Sequence, residues 1–508
     1  MRHQLFATKS LRQLLDEMAG ENRLRRVLGP VQLTSLGVGA IIGAGIFVAT
    51  GAAARNVAGP ALMLSYVVAG MTCVFAALCY AEFASMVPVA GSAYTYAYAT
   101  LGELFAWIIG WDLVLEYAVG SATVANGWSG YFQSVIAKFG LQLPAALAGP
   151  PIIYDTATGE FLRTAGVVNL PAVLIVALVT AVLVKGIQES AGFNTTMVFL
   201  KVTVVLFVIL VGAFYIKPEN WSPFAPYGLS GLSFFGRPLM GQVSTGGQPV
   251  GMLAGAAIIF FAYIGFDSVS THAEEAKNPT RDVPIGIIAS LLICTVLYIA
   301  VVAVLTGMVR YDKLSVDAGV SDAFKQAGLP WAEFIIAAAG VAGITSVLLV
   351  LMLSAPRVFL AMARDGMVPQ SFFGDVHPKF RTPWKSTILI GVFVATMTGF
   401  LPIDALLHLA NIGTLFAFLI VCAAVLIMRR TNPDATRPFR APLYPFVPIL
   451  GILSCLMLMF SLPPANWYRL IAWMVLGLVI YVSYSYKHSE LRKRAEAASA
   501  AAGGARRG

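Results

Sequence analysis

The sequence predicts an all-α polytopic membrane protein of 12 transmembrane helices: a 5+5 inverted repeat with discontinuous helices 1 and 6, plus two extra helices. Three observations carry that prediction. Of 508 residues, 58% are hydrophobic and only 12% are charged, too few polar groups to clothe a water-soluble globule. The apolar residues gather into stretches of about 20, the length that crosses a bilayer core. Two of those stretches, five apart, are interrupted near mid-depth by glycines and polar residues.

The stretches run over 32–54, 61–87, 93–137, 168–187, 193–216, 251–275, 284–308, 333–356, 384–403, 405–428, 443–463 and 467–486. The third is too long for one crossing and is expected to project beyond the bilayer. Residues 1–31 are polar and basic, with no apolar core or small-residue cleavage site of a removable signal, and read as a cytoplasmic segment. Residues 32–428 then form the ten-helix core, 429–487 the two additional helices, and 488–508 an Ala/Gly-rich disordered cytoplasmic tail. The segment LRQLLDEM at 11–18 is suited to an amphipathic helix on the inner leaflet.

With both termini inside, 24 of the 34 Lys and Arg residues lie on the cytoplasmic side, 9 outside and 1 within a span. That asymmetry is the one expected of a membrane protein with cytoplasmic termini. The net charge of +9 therefore reports topology and contact with anionic lipid headgroups, not nucleic acid. The five cysteines all fall in apolar segments without metal-ligand spacing and read as small core residues. The five histidines are scattered and no H-E-x-x-H occurs, so neither a metal nor a cofactor is called for, and no nucleophile, base and metal gather as an enzyme requires.

The first span carries GVGAIIGAGIF, Gly37 to Phe47. One reading is close helix packing, since Gly39 and Gly43 have the small-xxx-small spacing. The other is a helix break, tolerated in hydrocarbon only where the freed peptide groups face protein or a cavity, and therefore a binding site. A dinucleotide-binding loop needs a preceding strand and a G-x-G-x-x-G spacing, whereas the spacing here is Gly37, Gly39, Gly43 within a membrane span. The sixth span reads AGAAIIFFAYIGFDSVSTHAEEAKNP and gives way at Tyr263, Gly265 and Asp267. A carboxylate at that depth is costly and usually faces a cavity or a partner. The offset of five spans, not any visible internal similarity, is what implies inverted repeats whose broken helices meet near mid-membrane. Bare N–H groups favour a carboxylate and exposed carbonyls an ammonium group, so the paired breaks suit the zwitterionic end of an amino acid.

GVGAIIGAGIFVATG at 37–51, CYAEFASMVPVAGSAYTYAYATLGELFAWIIGWDLVLEY at 79–117 and FFAYIGFDSVSTHAEEAKNPTRDVPIGI at 260–287 resemble bacterial members of the cationic amino acid transporter family, of the amino acid, polyamine and organocation superfamily. The resemblance covers about residues 28–490 and implies a plasma membrane location, here a bacterial inner membrane. It implies that the substrate carboxylate rests on backbone amides of Ile41, Gly43, Ala44 and Gly45, and the ammonium group on carbonyls of Phe261, Ala262 and Ile264. Ala44 departs from the Thr or Ser common in relatives, which leaves backbone contacts and removes a hydroxyl.

Isolated charges extend this reading. Glu116 lies in the third span with Asp112 one turn earlier on the same face. Each either faces the cavity or bonds a neighbour, and the resemblance places Glu116 at the substrate and associates Asp267 with a basic side chain. Lys201 is the lone basic residue well inside a span, where it either snorkels to the surface or exchanges a proton during a cycle. The resemblance implies that it stands where sodium-coupled cousins bind sodium, so that the proton is the coupling ion. In the eighth span Thr345, Ser346 and Met352 are pocket candidates, and an inward Met352 would crowd a long basic substrate. Asn411 and Glu82 are gate candidates or interhelical polar bonds. The function expected is proton-coupled amino acid uptake by alternating access, for cationic or small neutral substrates, with exchange or non-transporting sensing as alternatives. Its partners are an L-amino acid and membrane lipids, an accessory subunit being undetermined by the sequence.

Overall fold

The computed structural model describes residues 6–9, 28–86, 92–155, 160–186, 191–234, 237–244, 247–316 and 319–494. The amphipathic helix expected at 11–18 and the tail beyond 494 lie outside the described residues. Helices dominate. α1 (Pro30–Ile41) begins with Pro30, where an absent N–H costs nothing, while the Gln32 side chain holds the Gly29 N–H at 3.0 Å. α2 (Leu62–Met86) follows a stretch of π and 3-10 turns.

The sequence's single third stretch is two helices, α3 (Ser92–Thr100) and α4 (Glu103–Ala137). Gly102 separates them at φ +98°, a backbone conformation open to glycine and strained for other residues. α4 has 35 residues. Its length of about 52 Å exceeds the ~30 Å hydrocarbon core, as expected for a helix that projects.

α5 (Leu170–Lys185) is capped by the Asn169 side chain, which accepts the Ala172 N–H at 3.4 Å. There follow α6 (Ala191–Ala213), α7 (Met252–Ile259), α8 (Pro279–Met308), α9 (Pro330–Arg364), α10 (Trp384–Phe400), α11 (Ile403–Thr431), α12 (Phe446–Met459) and α13 (Pro464–Ile480). Three antiparallel hairpins lie in the connections α4–α5 and α6–α7, where hydropathy gave no sign of strands: β1 (Ile152–Asp155) with β2 (Glu160–Arg163), β3 (Leu232–Phe234) with β4 (Arg237–Met240), and β5 (Gln242–Val243) with β6 (Pro249–Val250).

Among the described residues, eight helical stretches are long and apolar enough to cross a membrane, the first running over Pro30–Met86. Leu170–Lys185, Trp384–Phe400 and Phe446–Met459 are shorter apolar helices. Side chains such as Phe199, Leu210 and Val296 point outward and are more than half exposed, as a lipid-facing surface requires. The five cysteines are all buried and unpaired.

The helices pack as two bodies. α1, α2, α7 and α8 form one; α4, α5, α9 and α10 form the other. Two helices straddle them: α6 touches α1 and α8 as well as α9, and α11 touches α2 as well as α4. At one face, Glu82 at the end of α2 accepts two bonds from Arg429 at the end of α11 and the Ala441 N–H at 2.8 Å, with the Arg437 guanidinium 3.4 Å away. On the same face the Lys9 ammonium donates to Asp365 at 2.7 Å, and its N–H to the Tyr98 carbonyl at 3.1 Å. At the opposite face Lys138, just beyond α4, pairs with Glu333 of α9.

Candidate functional site

Both interruptions read from the sequence are breaks in the helical ladder, and they touch. The Ile42 N–H still reaches Val38 at 2.9 Å, but Ile42 itself is extended (ψ 100°) and regular hydrogen bonding resumes only after Gly43, as a π-helical turn over Gly45–Ala49. An α-helix would have paired the carbonyls of Gly39 and Ile41 with the amides of Gly43 and Gly45. Other donors take those carbonyls instead. The Lys201 ammonium donates to Gly39 at 2.6 Å and the Tyr298 hydroxyl to Ile41 at 2.8 Å.

The second break follows α7. The chain tightens into a 3-10 turn over Phe260–Tyr263, Ile264 swings to ψ 132°, and Gly265 takes φ +118° before helix resumes at Ser268. Only glycine suits Gly265 on two counts, since a Cβ there would also lie 3.0 Å from the Ala40 carbonyl oxygen. The breaks meet backbone to backbone: a Cβ on Gly45 would fall 2.2 Å from the Ala262 Cα. Asn411 of α11 steadies the approach to the break by donating to the Ala257 and Ile258 carbonyls at 3.0 and 2.8 Å.

Between the breaks is a narrow cavity of about 10 Å³, the scale of a single water. Ala40, Ile41, Gly43, Ala44 and Gly45 line it from the first break and Phe261 and Ile264 from the second, with Val124 of α4 and Val347 and Leu351 of α9 completing the wall. Polar character therefore comes from backbone, and the side-chain wall is apolar. The structure thus brings together Ile41, Gly43, Ala44, Gly45, Phe261 and Ile264, with Ala262 packed directly against Gly45.

The expected charged groups stand around this cavity, outside its lining. Asp267 is fully buried and accepts the Tyr117 hydroxyl at 2.8 Å and the Gly265 N–H at 3.2 Å. Glu116 is also buried and comes near Thr414, whose hydroxyl is committed to the Ala410 carbonyl at 3.2 Å. The carboxyl oxygens of Glu116 and Asp112 have no hydrogen-bond partner among the described residues.

Lys201 is 2% exposed, its stem packed against Gly343, and it makes no ion pair among the described residues. Its hydrogen bond to the break thus links α6 to α1 without a counter-charge. Met352 is buried but absent from the cavity lining, Thr345 accepts the Trp128 indole N–H at 2.9 Å, and the Ser346 hydroxyl turns back to Gly343.

Sequence reasoning missed Val124, Val347 and Leu351, which look like any other apolar residue on a spanning helix. It also missed Tyr298 and Tyr131, whose hydroxyl donates to the Phe47 carbonyl at 2.7 Å. The one available signal was that a tyrosine deep in an apolar stretch must find an acceptor for its hydroxyl.

Residues 28–481 match the amino acid permease family. The branched-chain amino acid permease BcaP of Bacillus subtilis (strain 168) is 47% identical over 97% of this chain and all of its own length. The methylthioribose transporter of the same organism is 44% identical over 96% of this chain and 99% of its own. The human cationic amino acid transporter 4 is 37% identical over 83% of this chain and 63% of its own. All three are permeases or transporters, not enzymes.

Proposed function

The chain belongs to the amino acid permease family, and from that premise we propose that it is a secondary active transporter, carrying small or branched apolar amino acids by alternating access with the proton as coupling ion. The observation that carries this reading is the composition of the cavity wall: backbone at two touching helix breaks on one side, Val124, Val347 and Leu351 on the other. Backbone N–H groups at Gly43 to Gly45 suit a carboxylate, and the 3-10 turn of the second break offers carbonyls to an ammonium group. An apolar wall then favours an uncharged side chain. A cationic substrate would need a carboxylate in the cavity wall, and neither Asp267, which already accepts two hydrogen bonds, nor Glu116 lines it.

The membrane arrangement belongs to the same proposal. The helix counts favour 12 crossings once Pro30–Met86 is taken as two and the three shorter apolar helices are added to the rest. The two-body packing favours a 5+5 repeat with two further helices, the lysine and arginine asymmetry favours cytoplasmic termini, and the Bacillus relatives favour a bacterial inner membrane. Proton coupling rests on Lys201. An amine buried without a counter-charge can hold the Gly39 carbonyl when protonated and release it when neutral, so one proton sets whether the first break is tied to α6.

Uptake in proteoliposomes tests all of this together. An inward acid gradient should drive accumulation of leucine, isoleucine, valine or alanine without sodium, and those amino acids should compete while arginine and lysine do not. Uptake only when amino acid is loaded on the far side would make the protein an exchanger, and binding without flux would make it a sensor. Methylthioribose carries neither carboxylate nor ammonium, and preference for it over every amino acid would overturn the substrate assignment.

A further inference from the structure

We propose that Tyr298 is a positioning residue of the substrate site, holding the first helix break open by occupying the carbonyl that would otherwise recapture the amide of Gly45. The inference rests on the amino acid site proposed above and adds a residue to it. Its starting point is an exchange of partners. In an unbroken helix the Ile41 carbonyl would accept the Gly45 N–H, as the Gly39 carbonyl would accept that of Gly43. Every amide returned to its helical carbonyl is one fewer donor for a bound carboxylate. The break therefore serves as an anion site only while its carbonyls are otherwise occupied.

Two side chains occupy them, and they differ in kind. Lys201 takes Gly39 and can lose its proton; Tyr298 takes Ile41 at 2.8 Å and keeps its proton at any physiological pH. The geometry leaves the tyrosine little freedom to let go. Tyr298 is fully buried on α8, and its ring lies against Tyr66 and Tyr263, each 5.6 Å away between centroids. Tyr263 belongs to the second break and donates to the Tyr66 carbonyl at 2.9 Å, while the Tyr66 hydroxyl bonds Thr50, beyond the first break, at 2.7 Å. The three rings thus join α2, α8 and both breaks, and Tyr298 moves with α1 as part of one body.

A division of labour follows. Lys201 makes the state of the Gly39 carbonyl depend on a proton, and Tyr298 keeps the Gly45 amide available in every state. Loss of the Tyr298 hydroxyl should therefore weaken binding at all pH values and leave the proton response intact, whereas loss of the Lys201 amine should remove that response.

The test is Tyr298→Phe, which deletes one oxygen and keeps the ring. Initial rates of branched-chain amino acid uptake are measured in proteoliposomes from pH 5.5 to 8, with binding to the purified protein followed in parallel. The inference expects KM and Kd to rise about 5- to 50-fold, the range for a donor removed from a buried acceptor, with maximal rate and pH profile unchanged. Unchanged KM and Kd, or a fall in maximal rate alone, would overturn it, since either would mean that the hydroxyl only helps the protein fold. If Tyr298→Phe does not fold, Tyr298→His, which keeps a ring and a donor, is compared with Tyr298→Leu, and equal Kd values for these two also overturn the inference. Absence of amino acid binding and uptake by the unaltered protein is a different result and overturns the underlying site.

Discussion

At the scale of single residues, the site is built by controlling which backbone groups remain unpaired. Ala44 offers no hydroxyl, so a carboxylate held there is held by amides alone, and each amide counts for more. Lys201 is buried and donates to the Gly39 carbonyl without an ion pair among the described residues, so under the proposed mechanism it is the side chain whose state changes. Lys201→Ala should abolish stimulation by an inward acid gradient and cut uptake at least about tenfold, the worth of one charge-assisted bond. Undiminished proton-driven uptake by that variant would remove the lysine from the mechanism. Lys201 was legible in the sequence because a lone charge in an apolar stretch needs a reason. Tyr298 was not, being one of 18 tyrosines whose hydroxyls have different destinations that only the fold assigns.

At the scale of elements, the two interruptions were readable as such, because glycines and an aspartate in mid-span contradict what a continuous membrane helix needs. Their mutual contact was not, since it depends on the packing of α1 against α8 and on how closely two backbones approach. That closeness makes Gly45 the most sensitive position of either break. Gly45→Val places branched carbon where the Ala262 backbone already lies, 2.2 Å from an ideal Cβ, and the two breaks must part. Uptake and binding should fall by about 100-fold or more, the scale on which misplacement by an ångström acts. The protein should still reach the membrane and elute as a folded species, because the helices that flank the break are unaltered. Retained affinity in Gly45→Val would mean that the breaks do not form the site. The division of the third stretch into α3 and α4 escaped hydropathy for a simpler reason: Gly102 turns the chain without interrupting its apolar character.

At the scale of the molecule, the first helical body is tied at one face to a straddling helix by a clamp. Glu82 ends α2 in the first body, and Arg429 ends the straddling helix α11. The carboxylate is 3% exposed and the Arg437 guanidinium lies 3.4 Å from it, so Arg429→Ala leaves the buried charge one cation and the Ala441 N–H and should cost about 2 kcal/mol of stability, the worth of a charge-assisted bond. Removing the charge as well, in a Glu82→Gln, Arg429→Ala double variant, should restore part of the lost melting temperature, since Arg437 then loses its carboxylate but keeps its carbonyl partners. A double variant no more stable than the single one would show that the clamp's value is not electrostatic.

The other straddling helix has a different consequence. α6 leans on both bodies, and the bond from Lys201 to Gly39 crosses from that helix to a broken element of the first body. Under the proposed mechanism the proton then acts as a clutch: bound, it engages the first break with α6, and released, it frees that break to move against α6. Transport stoichiometry would follow from the machinery itself, since one engagement permits one stroke.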